Sequence, residues 1–332
     1  MLTTEKNKNS LIVGIGSALI DILIHENDEF LEKAGALKGG MTYVESEFIY
    51  QVLAQTDIQP HIVPGGSACN TIIGIGKLGG AARFVGKLGK DELGNLFETD
   101  LEVNGIEPIL STSSSSTGRV LSIITPDAQR SMLTYLGAAS EMQADEITDK
   151  CFEDAAIVHI EGYLLYNKEL MLAVLNAAKQ AGVRISLDLA SFTVVEESKN
   201  ILETIVNDFV DILIANEDEA RAFTGYSDEI KALRALSEKV DIAVVKVGER
   251  GSFISQTGDV VKIEPEGDGT VAIVDTTGAG DLWASGFLFG LVNGYPLEKC
   301  GQLGSLCGYE VCQVVGANIP EEGWQRIKKS VK

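Results

Sequence analysis

The chain reads as an α/β protein: a doubly wound, mainly parallel sheet with helices on both faces, plus a small β-sheet excursion. Two observations predict the main sheet and a third predicts the excursion. Short apolar runs at 11–15, 157–160, 184–187, 212–215 and 242–247 lack the alternation of half-exposed strands, so they suit strands buried on both faces. Among them, 168–181, 194–206 and 228–239 space their apolar residues as amphipathic helices do. Such alternation of strand and helix favours a parallel sheet covered on both sides. The rhythm breaks at 39–64 and 118–136, which contain strand-like stretches such as 119–125 and 132–136 without intervening helices. They predict a small antiparallel sheet, either an edge meander of the main sheet or a lid over a ligand site.

At 332 residues, 45% hydrophobic, the chain has apolar material for a sizeable core. The expected organisation is one α/β domain over about 10–330, with a discontinuous lid from about 39–64 and 118–136. A formal net charge of −21 argues against nucleic acid or an anionic membrane as partner, and leaves any anionic ligand to local donors. Cys69, Cys151, Cys300, Cys307 and Cys312 form no CxxC pair, and His25, His61 and His159 no HExxH. Reduced thiols and no tightly held zinc are expected. No apolar run reaches the ~18 residues of a membrane span. The polar stretch at 1–10 lacks the apolar core of a signal peptide, so a cytoplasmic protein is expected.

One segment carries chemistry. A strand is expected over 271–274 and an apolar-rich helix over 282–293, with Asp275-Thr276-Thr277-Gly278-Ala279-Gly280-Asp281 between them. Small residues at 278–280 let a ligand approach the backbone, and the free first-turn amides of the helix suit the charge of a transferring phosphoryl group. Asp281 then has two readings: a cap on its helix, or a general base that takes the proton of an attacking hydroxyl. Other nucleotide loops are excluded. After Gly14-Ile15-Gly16 the dinucleotide fingerprint needs glycine at 19, where Leu19 stands. A P-loop (GxxxxGK followed by Ser or Thr) is absent from the sequence.

GAGD between a strand and an apolar helix resembles the second signature of the PfkB, or ribokinase-like, carbohydrate kinase family. Gly65-Gly66-Ser67-Ala68-Cys69-Asn70, then Leu78-Gly79-Gly80 and Val85-Gly86-Lys87-Leu88-Gly89-Lys90-Asp91-Glu92-Leu93-Gly94, is similar to its first signature. Asn216-Glu217-Asp218-Glu219 matches the NxxE motif that the family ties to magnesium and phosphate. Lys246-Val247-Gly248-Glu249-Arg250-Gly251 matches its glycine turn under the nucleotide. These motifs stand in family order across nearly the whole chain. The resemblance implies a ribokinase-like fold, ATP as co-substrate, magnesium, and a sugar or nucleoside as acceptor.

The resemblance also implies roles. Asp281 would be the catalytic base, and Gly278, Ala279 and Gly280 the anion hole. Asp21, just after the first strand, would hold acceptor hydroxyls, since a carboxylate can accept from two at once; its position alone equally suits a cap. Ser17, Gly65, Gly66 and Asn70 would line the same pocket, Ser17 standing where adenosine kinases tend to have Asn. Glu219 would order magnesium through water, assisted by Asn216, although Asn216 is also a good N-cap before an acidic first turn. Lys246 and Gly248 would contact the nucleotide and Gly251 would permit the turn; a lysine ending a strand also suits plain solvation. Arg130 either reaches the substrate or γ-phosphate from the lid or is a surface hairpin residue. Asp275, the Thr277 carbonyl and the turn at 316–318 have the order of a monovalent-cation site, with potassium as the implied ion.

Within the family, the spacing from Gly16 to Asp21, the GGSACN form and the segments Ser116-Thr117-Gly118-Arg119 and Tyr135-Leu136-Gly137-Ala138 resemble the adenosine-kinase-like branch. The acceptor is then a primary hydroxyl, adenosine first and ribose or a hexose such as fructose next. Glu161 and Tyr163 are candidates for choosing between them. Stacking aromatics favour a nucleoside and further carboxylates a free sugar. Two readings from other classes compete: an NAD-dependent oxidoreductase, disfavoured by the broken fingerprint, and a non-catalytic binding protein, which would not need Asp281 and Glu219 together. A monomer, or a homodimer paired through the lids, is expected.

Overall fold

The computed structural model describes residues 10–127, 129–267 and 273–331. The first part of the chain forms β1 (Leu11–Ile15), β2 (Leu19–His25), α1 (Asp28–Lys33), β3 (Met41–Tyr43), α2 (Ser46–Leu53), β4 (His61–Gly65) and α3 (Ser67–Leu78). Next come β5 (Ala82–Gly89), α4 (Glu92–Val103), β6 (Glu107–Ser113), β7 (Gly118–Ile124), β8 (Arg130–Tyr135), β9 (Ala155–Glu161) and α5 (Lys168–Gln180). Strand and helix then alternate as β10 (Arg184–Asp188), α6 (Phe192–Asp208), β11 (Ile212–Asn216), α7 (Glu217–Thr224), α8 (Glu229–Ser237) and β12 (Ile242–Lys246). The chain closes with β13 (Ser252–Gln256), β14 (Asp259–Ile263), α9 (Ala279–Val292), α10 (Leu297–Val311) and α11 (Glu321–Val331).

The main sheet has the order β14-β13-β12-β11-β10-β9-β1-β5-β6. Its strands pair in parallel except where β13 meets β12 and β14. Successive residues of β11 feed opposite cores, as the period of a strand requires. Leu213 and Ala215 join Val174, Leu202, Phe223 and Leu233 of α5–α8 on one face. Ile212 and Ile214 join Ile72 and Ile75 of α3 and Phe287 and Leu288 of α9 on the other. A fully covered sheet is why the strand sequences read as continuous apolar runs. Helix α9 is itself apolar all round because α3 and α10 both pack on it. Among the described residues, no helix is long and apolar enough to cross a membrane.

The second sheet, β3-β8-β7-β2-β4, corrects the expectation in three ways. It is mixed, not antiparallel: β2 runs parallel to β7 and β3 to β8, while β2–β4 and β7–β8 are antiparallel. It recruits β2, which follows β1 after a short break at 16–18 and lies outside the two segments read as the excursion. Strand β2 is buried along nearly its whole length, so it shows no edge-strand alternation. The segment 39–64 also holds a helix, α2, with Ile49 and Val52 buried. Of the strand expected over 271–274, residues 271 and 272 lie outside the described residues. Ile273 and Val274 are not in a strand; the Val274 amide donates to the Cys312 carbonyl at 2.8 Å, so the chain there ties to the end of α10 instead of the sheet.

Candidate active site

Five neighbouring parallel strands present their C-terminal ends to one cavity of about 570 Å³. Ser17 follows β1, Glu161 ends β9, Asp188 ends β10, Asn216 ends β11 and Lys246 ends β12, and all line it. This edge of an open parallel sheet is where crossover connections leave a ligand crevice. The small sheet supplies Met41, Tyr43, Asp21, Val120, Arg130 and Met132 to the wall. The starts of α3 and α9 supply Gly66, Ser67, Asn70, Gly278, Gly280 and Asp281.

Asp281 does not cap its helix. Gly278, with φ of 72°, occupies the N-cap position. The Asp281 carboxylate is turned onto the start of α3, where Ser67 Oγ donates to it at 2.8 Å and Asn70 Nδ2 at 2.9 Å. The two helices are locked further back by Thr71 Oγ1, which donates to the Asp281 carbonyl at 3.2 Å, and by Ser285 Oγ, which donates to the Thr71 carbonyl at 2.8 Å. Burial raises the Asp281 pKa, and the hydrogen bonds from Asn70 and Ser67 oppose it.

The glycine pair before α3 makes room for this arrangement. A side chain on Gly65 would collide with the Asp21 carboxylate, and one on Gly66, at φ 98°, with the Ser17 carbonyl. Asp21 sits in β2, only 8% exposed. Burial lifts its pKa to about 6; Arg130 pulls it down, and Asp281 and Asp275 push it up. Glu161 accepts from the Ser17 amide at 2.8 Å and the Ala68 amide at 3.0 Å, which fixes the first turn of α3 to the end of β9. Burial raises its pKa to about 6 as well.

Residues 30–323 match the model of the pfkB family carbohydrate kinases. The chain belongs to that family. The crystal structure of adenosine kinase from Sinorhizobium meliloti matches with a TM-score of 0.88 and 30% identity, over 98% of this chain and 100% of that one. That of a probable sugar kinase from Rhizobium etli CFN 42 matches with a TM-score of 0.89 and 30% identity, over 97% and 99%. The 5-dehydro-2-deoxygluconokinase of Bacillus subtilis (strain 168) is 26% identical over 91% of this chain and 90% of its own. The protein is thus a sugar or nucleoside kinase of ribokinase-like fold, in a family whose kinases use ATP and magnesium.

In this PfkB kinase, Asn216 and Glu219 realise the capping geometry and still face the cavity. Asn216 Oδ1 accepts from the Glu219 amide at 2.9 Å, Glu219 Oε2 accepts from the Asn216 amide at 2.8 Å, and Asn216 Nδ2 donates to Glu219 Oε1 at 2.7 Å. Burial first, and Asp188 next, lift the Glu219 pKa to about 7. A carboxylate so placed gains from a nearby cation. Among the described residues no group of three or more His, Cys, Asp or Glu side chains is arranged to hold a metal. An oxygen donor set with few protein ligands fits magnesium that keeps much of its water.

Lys246 is largely buried, and its Nζ pairs with Asp188 Oδ2 at 3.0 Å. Gly65, Gly248, Gly251, Asp275 and Ala279 do not line the cavity. Gly248 and Gly251, at φ 55° and 92°, shape the turn between β12 and β13. Asp275 Oδ1 accepts from the Thr277 amide at 2.9 Å and Thr277 Oγ1 at 2.7 Å, and Oδ2 from the Gly316 amide at 2.9 Å, tying the glycine loop to the turn at 316–318. Sequence reasoning missed Ser67 and Asp188. The signal for Asp188 was its place: a carboxylate immediately after an apolar run, like Asn216 and Lys246 at their strand ends.

Proposed function

We propose that this kinase transfers the γ-phosphoryl group of ATP to a primary hydroxyl of a nucleoside of the adenosine type, with Asp281 as general base. One observation carries the reading: the Asp281 carboxylate, at the start of α9, is held by Ser67 and Asn70 and not spent on capping. Each of its oxygens accepts one hydrogen bond and keeps a lone pair for an acceptor hydroxyl. Asp21 accepts from two further hydroxyls and orients the acceptor, with Ser17, Gly66, Asn70 and Arg130 around it. Asp281 takes the proton, the freed oxygen bonds to the γ-phosphorus, and the bond from that phosphorus to the ADP oxygen breaks. The amides at the start of α9 donate to the charge that builds on the phosphoryl oxygens. Magnesium, when bound, neutralises phosphate charge; Glu219 and Asn216 are suited to hold its waters. Asp275 and Thr277 form the proposed seat of a monovalent cation beside the loop. The small sheet acts as a lid that excludes water.

Tyr43, Tyr163 and Tyr166, with Met41 and Met132, line the cavity wall. Flat rings and thioethers favour a nucleobase over a free sugar. Glu161, the further carboxylate, is committed to backbone amides, which also speaks for a nucleoside.

ADP release measured over adenosine, other nucleosides, ribose, fructose and 5-dehydro-2-deoxygluconate tests this. Adenosine is expected to give the highest kcat/KM, and Asp281→Asn to lower kcat by ~10² or more while ATP still binds. Turnover of a sugar without any nucleoside would make it a sugar kinase instead. Binding without turnover would make it a binding protein, and near-wild-type turnover by Asp281→Asn would remove Asp281 as the base.

A further inference from the structure

We propose that Asp188 is a positioning residue for phosphoryl transfer: it holds the Lys246 ammonium against the start of α9, where Lys246 meets the transferring phosphoryl group. This rests on the kinase reading above and adds to it a residue and the part of the nucleotide that Lys246 contacts.

Asp188 and Lys246 end strands that are separated by β11, so their ion pair spans the top of that strand. The side chains are only 8% and 15% exposed. A pair so buried loses much of its attraction to desolvation and is poor evidence for stability alone. The backbone is nevertheless shaped around it. Asp188 Oδ1 accepts from the Ala190 amide at 2.9 Å. Ala190 adopts φ of 65°, a left-handed conformation that residues other than glycine rarely take. One carboxylate oxygen is therefore anchored to its own loop, and the other is aimed at Lys246.

The ammonium in turn has a definite place. A Cβ on Gly280 would lie 2.9 Å from Lys246 Nζ. Gly280 belongs to the first turn of α9, whose amides have no intrahelical partners and carry partial positive charge. An ammonium and a helix N-terminus repel unless an anion lies between or beside them. Asp188 supplies the paired anion in the free enzyme, ahead of Glu219 and Asp281, and a phosphoryl oxygen supplies it in the complex. An ammonium has three donors, so Lys246 can keep Asp188 and still bind phosphate.

The test uses Lys246→Met, Asp188→Asn and the double variant, each assayed for kcat, both KM values and MgATP affinity by calorimetry. Each single variant is expected to lower kcat and MgATP affinity by roughly 10–100-fold, the scale of a lost charge-assisted hydrogen bond. The acceptor KM should stay within about twofold. Because Asp188 acts through Lys246, the double variant should be no worse than Lys246→Met alone. Losses that multiply in the double variant overturn the proposal. So does an Asp188→Asn protein that melts lower but keeps wild-type kcat and ATP affinity. Should Asp188→Asn fail to fold with Lys246 unpaired, the same substitution can be scored in the double variant, which removes both charges of the pair: parity with Lys246→Met sustains the proposal and a further loss overturns it. If the wild type binds MgATP but turns over no acceptor, the kinase reading fails by itself, and the same comparison on ATP affinity still decides the role of Asp188. A wild type that does not bind MgATP sinks both.

Discussion

Replacing Asp21 by Asn should stabilise the protein at neutral pH while weakening acceptor binding. Asp21 is buried in β2, and its pKa is lifted from 3.8 to about 6. The folded value exceeds the unfolded one, so the stability linked to this group is complete below 3.8 and is lost as pH rises through about 6. At 1.36 kcal/mol per unit, the charged carboxylate costs about 1–3 kcal/mol at pH 8. Asn has nearly the same shape and no charge to bury. Thermal unfolding of both proteins at about pH 5 and pH 8 should therefore show the variant gaining on the wild type by on the order of 2–4 °C between the two. The acceptor KM should rise, and the ATP KM should stay near its wild-type value. Equal gaps in melting temperature at both pH values would refute the reasoning, because a mere packing change has no pH dependence. An unchanged acceptor KM would separate Asp21 from substrate binding.

Three further outcomes are expected. The acceptor KM should rise as pH drops through about 6, where protonated Asp21 no longer accepts from two hydroxyls, and Asp21→Asn should lack that rise while keeping the acid limb in kcat that Glu219 and Asp281 set. Gly65→Ala places a methyl against the Asp21 carboxylate, so it should raise the acceptor KM and destabilise by roughly 1–3 kcal/mol, read by denaturant titration. Asn216→Ser keeps a capping oxygen and should change stability by less than about 1 kcal/mol, while the magnesium concentration for half-maximal rate rises; an unchanged magnesium requirement would leave Asn216 as a cap alone.

The main sheet was legible because strands buried on both faces must be apolar throughout, and helices between them must carry one apolar stripe. The same rule hid β2. Its sequence, Leu19–His25, is as apolar as a main-sheet strand, yet it pairs with β4 and β7 in the other sheet. Which sheet a strand joins depends on distant partners, and no local pattern reports them. Helix α2 was missed because it is short, with few buried positions such as Ile49 and Val52. At the site, the position of Asp281 was readable but its rotation was not: cap and base differ only in where the side chain points, and that is set by Ser67 and Asn70 more than 200 residues away in sequence. The Asp188–Lys246 pair was invisible for the same reason, since its partners are 58 residues apart and on strands that do not touch.

The electrostatics of the cavity argue for catalysis over passive binding. Asp21, Glu161, Glu219 and Asp281 all have pKa values raised by burial in one cavity wall. Glu161 is used to hold backbone, through the Ser17 and Ala68 amides, and Glu219 shares in capping α7 through the Asn216 amide. A chain with net charge −21 gains nothing in stability by crowding more carboxylates into an interior, since each buried charge opposes folding. On the roles proposed above, a protein that only bound a neutral nucleoside would use Asp21 alone. Lys246 offsets part of the charge of Asp281 and Glu219, and on the roles proposed above a proton on the first and a hydrated metal near the second would offset more. Phosphoryl transfer from a magnesium–nucleotide complex to a hydroxyl delivers both. On those proposed roles, the buried negative charge would be relieved by the substrates and the reaction, an interaction stronger in the transition state than in the free enzyme.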